Sequence, residues 1–141
     1  MGYLLDEHVF IDYWYSQFNI NTAIQHFINI IDKKTIFISV ITVAEISKGF
    51  HNLKADSKFR KYIKDGLYDF LAKHPNKIIT PSYKDAVEYG RLIKLFPAND
   101  HISPNDFDTW LSAIANIQGH IIVTRNTKDF PHCMTINPYQ I

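Results

Sequence analysis

The sequence lacks the features on which several large classes of protein depend. Its single cysteine, Cys133, excludes an internal disulfide and any cysteine-rich zinc site. No apolar run approaches the roughly 18 residues that are needed to span a bilayer. The first ten residues carry Asp6 and no basic segment, which is unlike a secretory signal. We therefore expect a cytoplasmic protein without a membrane partner.

Motifs of other enzyme classes are missing as well. There is no glycine-rich phosphate loop, no H-E-x-x-H zinc motif among the seven histidines and no nucleophile elbow. The net charge of +1 gives no global basic field, so attraction to a nucleic acid has to come from a local patch. With 141 residues, of which 46% are hydrophobic, the chain fits one globular domain over residues 1–141.

Strand-like apolar runs alternate with helical periodicities along the chain. Strands are predicted over 3–5, 35–40, 77–80 and 121–124, with a final one near 134–136. Helices are predicted over about 9–31 in two pieces, 42–50, 54–73, 83–96 and 108–117, and a loop over 97–105. Gly119 is expected to end the last helix. This alternation indicates a parallel sheet covered by helices on both faces, with ligands bound beyond the carboxyl ends of its strands.

Three helical segments have predicted buried faces, because apolar residues recur in them at helical spacing. The predicted faces are Ala23, Phe27, Ile30 and Ile31; Phe59, Ile63, Leu67 and Phe70; and Ala86, Tyr89, Leu92 and Ile93. The second and third of these helices are apolar enough to have surplus faces for a partner.

Three acids lie at predicted junctions between a strand and a helix. Asp6 follows the first apolar run, Glu45 is expected in the first turn of the helix after the second strand, and Asp108 opens the last helix. In a parallel sheet all three project into one crevice, where hard oxygen ligands suit Mg²⁺ or Mn²⁺. We therefore predict that they form a catalytic metal site.

Each acid also has a purely structural interpretation. Asp6 could simply end a strand, and Asp108 could complement the dipole at a helix amino terminus. Thr42 and Glu45 have the spacing of a capping box, in which Glu45 would bind a backbone amide. Singly, the structural interpretation is favoured for each acid, whereas their coincidence and chain order favour a site.

Four segments, in order, resemble the motifs of PIN domains. YLLD at 3–6 with VFID at 9–12 is similar to the opening motif, ISVITVAEI at 38–46 to the second and DTWLSAIA at 108–115 to the third. VTRNTKDF at 123–130, followed by INP at 136–138, is similar to the last. The second and fourth are the specific ones, and the nearest likeness is to VapC-type toxins of toxin–antitoxin pairs.

The resemblance implies a fold, an activity and partners. The family fold is a three-layer α/β/α sandwich with a central, mainly parallel sheet. The family activity is Mg²⁺- or Mn²⁺-dependent cleavage of RNA, which leaves 5′-phosphate and 3′-hydroxyl ends. For this chain it implies an endoribonuclease toxin, a two-fold homodimer and a cognate antitoxin protein.

The sequence departs from the family pattern in two places. Glu7 and His8 stand where the family has Thr or Ser and then Asn, so Glu7 is either a fourth ligand or a solvated first-turn residue. His8 is expected to be a neutral hydrogen-bonding group. Asn126 stands where the fourth family acid is expected, and Asp129 either replaces that acid or caps a turn. These departures leave open a second hypothesis, a catalytically weak PIN-like module that binds RNA or a protein.

Cations near the motifs are candidates for RNA binding. Lys48 follows the second motif, and Arg125 and Lys128 lie within the last. Lys48 also belongs to a basic stretch with Lys54, Lys58, Arg60 and Lys61. For at least half of these cations a solvated helix face is the favoured interpretation.

Overall fold

The structure, a computed structural model, describes residues 1–15, 22–95 and 106–141. Its five strands are β1 (Gly2–Leu5), β2 (Ile36–Ser39), β3 (Ile78–Ile79), β4 (His120–Val123) and β5 (Thr135–Ile136). They form one sheet in the order β3-β2-β1-β4-β5, and every pairing is parallel. The prediction of a mainly parallel sheet is confirmed.

Six α-helices lie in the described ranges. They are α1 (Glu7–Trp14), α2 (Thr22–Ile30), α3 (Val40–His51), α4 (Lys58–Lys73), α5 (Tyr83–Ile93) and α6 (Asp106–Gln118). Gly119, which follows α6, has φ of +75°, a conformation that glycine adopts without strain, so it ends that helix as expected.

The core lies on both faces of the sheet, because successive strand residues point to opposite sides. Leu5 packs with Phe10, Ile24 and other residues of α1 to α4 on one face. On the opposite face, Leu4 packs with residues of α6 such as Leu111. The result is three layers, with the sheet between two sets of helices.

The strand order changes direction at β1. The chain adds β2 and β3 on one side of β1 and then crosses to place β4 and β5 on the other. Leu5 of β1 is in register with Val123 of β4, so the residues after these two strands meet at one edge. Such a switch point is where open parallel sheets bind their ligands.

Several helix boundaries differ from the prediction because capping residues set them. α1 begins at Glu7 because the side chain of Asp6 accepts a hydrogen bond from the Val9 amide. α4 begins at Lys58 rather than 54, since Ser57 caps it, and α6 begins two residues earlier than predicted.

The predicted start of α3 at Thr42 is wrong. Ser39 caps this helix by accepting from the Ile41 amide, so α3 begins at Val40 and Glu45 lies in the second turn rather than the first. The capping box between Thr42 and Glu45 is also excluded, because the Thr42 hydroxyl donates to the Leu5 carbonyl, 3.3 Å away. The interpretation of Glu45 as a member of a capping box is therefore excluded.

The predicted buried faces were partly wrong. α2 buries Ile24, Phe27 and Ile28, whereas Ile30 is exposed. On α4, Phe59 is exposed, while the other three predicted residues are buried.

The predicted face of α5 is confirmed in part. Leu92 is buried and Tyr89 and Ile93 are half-buried, whereas Ala86 is exposed and the neighbouring Asp85 is buried. The cause is polar: Asp85 forms a capping box with Ser82 and accepts from Gln118 Nε2 at 2.7 Å, which turns this acid inward.

Some predictions lie outside the described residues. These are the loop over 97–105, the last residue of the helix predicted over 83–96, and the junction at 16–21 within the helical region 9–31. Within the described part of the chain, the helices are all too short or too polar to cross a membrane.

Candidate functional site

The predicted acids meet in one cavity at the carboxyl edge of the sheet. The cavity has a volume of about 140 Å³, and its lining comprises Asp6, Glu7, His8, Glu45, Asp108, Asn126, Asp129 and Phe130. The strand-to-helix junctions after β1 and β4 and the helices α3 and α6 supply these residues. The structure thus brings together all the acids that the sequence singled out.

Asp6 is the most rigidly held of them. Its backbone amide donates to the Val123 carbonyl at 3.1 Å, which continues the β1–β4 pairing by one step. Its Oδ1 accepts from the Val9 amide at 3.1 Å, and its Oδ2 accepts from the Thr124 hydroxyl. Burial raises the pKa of Asp6, and these two hydrogen bonds act in the opposite direction.

Thr124 is a residue of the site that the sequence reasoning missed. It is fully buried, directly follows β4 and fixes Asp6 from the neighbouring strand. The same hydroxyl oxygen accepts from the Asn126 amide at 3.0 Å and so also shapes the turn that follows. A polar residue directly after an apolar strand, opposite Asp6 in a parallel register, was the available signal.

Glu45 projects from the second turn of α3 among other acids. Burial, followed by repulsion from Asp108, Glu7 and Asp6, raises its pKa to about 8. Glu7 lines the cavity beside Glu45, and two neighbouring carboxyl groups favour a proton or a cation between them.

Asp108 faces Glu45 from the first turn of α6. Burial, followed by repulsion from Asp129, Asp6 and Glu7, raises its pKa to about 6. The position at the amino terminus of α6 favours the ionised carboxylate of Asp108, whereas burial and the neighbouring acids favour the protonated form.

Asn126 and Asp129 reach the cavity from a short 3₁₀ turn over Thr127–Asp129. The Asp129 amide donates to the Asn126 carbonyl at 3.0 Å, so the two side chains sit one turn apart and line the same cavity. This backbone geometry is compatible with Asp129 as a replacement for the fourth family acid and with Asp129 as a residue that only caps the turn.

The donor set fits a hard divalent cation. Carboxylates that raise one another's pKa are stabilised by positive charge, and Mg²⁺ and Mn²⁺ prefer such oxygen ligands. Within residues 1–15, 22–95 and 106–141, however, no three His, Cys, Asp or Glu side chains already converge closely enough to hold an ion. Chelation by three acids would therefore require side-chain rotations.

The candidate RNA-binding cations occupy different places. Lys48 lines a larger groove that adjoins the cavity, and Arg125 Nη2 lies 3.3 Å from His8 Nε2 at the cavity rim. Lys128 is exposed in the 3₁₀ turn and does not line the cavity. In the basic stretch, Lys61 pairs with Asp65 and Arg60 donates to the Leu53 carbonyl, as expected for helix-surface residues.

The fold is shared with proteins of known structure, although the sequence matches no protein-family model and no curated protein. FitAcB from Neisseria gonorrhoeae contains a chain that is 20% identical, with a TM-score of 0.74 over 99% of both chains. VapBC2 from Rickettsia felis, bound to a DNA fragment from its promoter, gives 24% identity and a TM-score of 0.68 over 97% of this chain and 98% of that one.

A toxin–antitoxin complex from Klebsiella pneumoniae gives 21% identity and a TM-score of 0.67 over 99% of this chain and all of that one. The structural match to toxins of the FitB and VapC kind thus spans the chain, and the PIN-like α/β fold is confirmed. At these identities the likeness establishes the fold alone.

Proposed function

We propose that this protein is a Mg²⁺- or Mn²⁺-dependent endoribonuclease that acts as the toxin of a type II toxin–antitoxin pair. The observation that carries the proposal is the meeting of Asp6, Glu45, Asp108 and Asp129 in one small cavity at the switch point of the sheet. The shared fold supports it, because similar chains were solved within VapBC2 and a toxin–antitoxin complex.

Asp6, Glu45 and Asp108 are the proposed metal ligands and catalytic residues, with Asp129 and Glu7 as accessory acids. A bound divalent cation supplies a water of lowered pKa and neutralises charge that develops on the phosphate. Thr124 is a positioning residue, since its hydroxyl holds Asp6 in one orientation. Asn126 is neutral, so a second cation site opposite the first has fewer charged ligands.

The protonation of Glu45 and Asp108 links cation binding to pH. With their pKa values raised to about 8 and 6, both hold protons near neutrality more readily than isolated acids. Because a cation binds the ionised forms, its binding releases protons and strengthens as pH rises.

The cations at the cavity rim orient the RNA. Arg125 contacts His8 and presents a guanidinium at the rim, where it can meet a phosphate oxygen. Lys48 and Lys128 are further proposed contacts to the RNA backbone, and these contacts carry no sequence preference by themselves.

The proposed partners are a cognate antitoxin and a second copy of the chain, within a single-domain cytoplasmic protein. The apolar groove of about 310 Å³ beside the cavity, which includes Ile11, Phe50, Leu53 and Phe59, supports binding of an antitoxin segment. The exposed Tyr83 and Val87 on α5 support the homodimer.

A catalytically weak PIN-like module that binds RNA or a protein is the second candidate. Glu7 and Asn126 favour it, because one adds charge beside Glu45 and the other leaves the fourth acid position neutral. A module of this kind would bind RNA and would not cleave it at any concentration of divalent cation.

Cleavage of a single-stranded RNA by the purified protein separates the two candidates. We expect cleavage with Mn²⁺ or Mg²⁺, inhibition by EDTA and loss of activity in Asp6→Asn. Asp56→Asn, which changes an exposed acid outside the cavity, is the matched control and should cleave like the wild type. Equal cleavage by Asp6→Asn would remove the acids from the mechanism.

Expression in a bacterial host tests the toxin assignment separately. The wild-type protein should arrest growth, and Glu45→Gln should relieve the arrest at a matched soluble level. Unchanged toxicity of Glu45→Gln would contradict the assignment.

A further inference from the structure

A short turn follows β5 and presents two polar side chains to its neighbours. It is a 3₁₀ turn over Pro138–Gln140, and Asn137 caps it by accepting from the Tyr139 amide at 2.9 Å. Pro138 is buried, and the Tyr139 ring packs against the core cluster that includes Phe10. The turn is thus anchored both by its cap and by the core, which gives the side chains of Asn137 and Tyr139 defined positions.

Asn137 ties this turn to the backbone that follows β4. Its Nδ2 donates to the Arg125 carbonyl at 3.3 Å. The preceding residue, Thr124, donates its amide to the Ile136 carbonyl at 3.0 Å, which continues the pairing of β4 with β5. The Asn137 side chain therefore holds the backbone of Arg125 one step beyond the end of the sheet, at the edge where the acid cavity lies.

Tyr139 links the same turn to α1. Its hydroxyl donates to the Asp12 carboxylate. Asp12 lies one helical turn after His8, so the two side chains project from the same side of α1, and His8 Nε2 lies 3.3 Å from Arg125 Nη2. Burial and Asp12 raise the pKa of Tyr139, whereas the positive charge of Arg125 acts in the opposite direction, so the guanidinium is an electrostatic neighbour of this hydroxyl.

Arg125 is exposed beside several acids, yet no ion pair in the part of the chain that the structure describes includes it. An arginine near a carboxylate commonly pairs with it through two parallel hydrogen bonds. Asp12 is instead the partner of the Tyr139 hydroxyl. The guanidinium has five N–H donors and one contact with His8, so it keeps most of its donors for a ligand.

We propose that Asn137 and Tyr139 are positioning residues that hold Arg125 at the cavity rim, with its guanidinium directed to a phosphate oxygen of the substrate. Asn137 fixes the backbone of Arg125, and Tyr139 occupies Asp12 so that this carboxylate does not capture the guanidinium. Neither positioning residue lines the acid cavity. The inference rests on the proposed ribonuclease function and assigns roles in it to two residues outside the acid site.

The chemistry of the cap favours this role over capping alone. Asp32 caps another 3₁₀ turn in the same way, since its side chain accepts from the Lys34 amide at 2.9 Å. A carboxylate is therefore sufficient for such a cap. The amide of Asn137 adds a donor, and that donor contacts the Arg125 carbonyl.

Cleavage of a single-stranded RNA at a fixed Mn²⁺ concentration tests the proposal. Arg125→Gln should lower kcat/KM roughly 10- to 100-fold, as for the loss of a charge-assisted hydrogen bond. Asn137→Ser keeps a capping oxygen and removes the donor, and Tyr139→Phe removes only the hydroxyl; each should lower kcat/KM about 3- to 10-fold. Adding Asp12→Asn to Tyr139→Phe should restore most of the activity, because the carboxylate that captures the guanidinium is then absent.

A double-mutant cycle separates positioning of Arg125 from a general structural role. In the Arg125→Gln background, Asn137→Ser and Tyr139→Phe should change kcat/KM by less than about 2-fold. An effect that acts through Thr124 or through stability would persist in that background. Asp32→Ser is the matched control, since it alters the same kind of cap before β2, at the opposite edge of the sheet, and should cleave like the wild type.

The outcomes distinguish this inference from the proposed function. If the wild type cleaves RNA, and Asn137→Ser and Tyr139→Phe have no effect or lower activity equally with and without Arg125, the inference is overturned and the ribonuclease stands. If the wild type binds the RNA without cleaving it, the ribonuclease proposal fails, and the same cycle measured by fluorescence anisotropy decides the inference. If the wild type neither binds nor cleaves RNA, both proposals fail.

Discussion

Carboxylates in two regions of this protein have opposite surroundings. Between α5 and α6, Asp85 accepts from the Ser82 amide and the Gln118 side chain at 2.8 and 2.7 Å. Glu88 accepts from Arg91 at 2.6 and 2.9 Å, and these hydrogen bonds hold its pKa below the usual value. In the cavity, Glu45 and Asp108 instead face other acids, which helps to raise their pKa values to about 8 and 6.

The difference separates acids that complete the fold from acids that need an external cation. Glu88 and Asp85 Oδ2 use donors that the chain itself supplies, whereas Asp85 Oδ1 is buried without a hydrogen-bond partner among the described residues. Removal of either acid should weaken the structure. Glu45 and Asp108 are repelled by the neighbouring acids, so removal of either charge should strengthen the metal-free protein while abolishing its chemistry, whereas Asp6 also caps α1. A substitution at Asp85 or Glu88 is therefore expected to lower stability, whereas a substitution at Glu45 or Asp108 is expected to lower activity without lowering stability.

The largest expected effect is on cleavage. Asp108→Asn should lower the rate by about 1000-fold or more, equivalent to roughly 4 kcal/mol of transition-state stabilisation, because it removes a proposed metal ligand. The same variant should melt at a higher temperature than wild type without metal, since it relieves repulsion. Single-turnover cleavage and thermal melting in EDTA measure both effects. A variant that loses activity and also melts lower would indicate a structural role for Asp108.

Asp85→Ala should show the reverse behaviour. It removes the acceptor that the partly buried Ser82 amide and Gln118 side chain share, although Gln118 keeps the Thr80 carbonyl at 3.3 Å, and should cost about 1 kcal/mol of unfolding free energy. Denaturant unfolding measures this loss, with Lys84→Ala at an exposed neighbouring position as the control that should change little. Residual folded protein should keep its cation requirement. Unchanged stability of Asp85→Ala would show that Asp85 does not contribute to the stability of the fold.

The third prediction concerns Asp129, which either supports a cation site or only fixes a turn. If it acts through water on the cation, Asp129→Asn should lower cleavage about 10- to 100-fold and raise the Mn²⁺ midpoint. Asn126→Asp should keep activity or tighten Mn²⁺ binding. If Asp129 only fixes the turn, the variant melts lower with an unshifted Mn²⁺ midpoint, which would exclude it from the site.

The parallel sheet and the meeting of the acids were predictable because both follow from local patterns. Apolar runs define strands, and the junctions after parallel strands meet at one edge, so Asp6, Glu45 and Asp108 were expected in one crevice. The start of α3 was not predictable from the sequence. Ser39 and Thr42 are both suitable capping residues, and only the tertiary contact of Thr42 with Leu5 shows that Ser39 is the cap.

Tertiary polar contacts also explain why the burial of Asp85 on α5 and the role of Thr124 escaped prediction. Apolar periodicity treats Asp85 as a surface residue, whereas Gln118 of another helix provides the donor that allows its burial. Thr124 directly follows an apolar strand, as Asp6 does, but their contact spans 118 positions of the chain and requires β1 and β4 to be neighbours. Such pairings depend on which elements become neighbours, so no short segment of the sequence predicts them.

The smallest expected effect is on the pH dependence of stability without metal. The folded-state pKa values of Glu45 and Asp108 lie above their ordinary values, so between about pH 4 and pH 8 the folded chain binds more protons than the unfolded chain. The stabilisation is complete below the unfolded pKa values and is lost as pH rises through about 6 and then about 8. Because both side chains are only half-buried, solvent screening reduces the loss to the order of 1 kcal/mol. Denaturant unfolding in EDTA at about pH 5 and about pH 8.5 should show lower stability at the higher pH, and Glu45→Gln should reduce the difference. Added Mn²⁺ should reverse the slope, since the cation competes with protons for the same oxygens. A metal-free protein that becomes more stable on raising the pH would show that the pKa values of Glu45 and Asp108 are held low by donors of the chain, as that of Glu88 is.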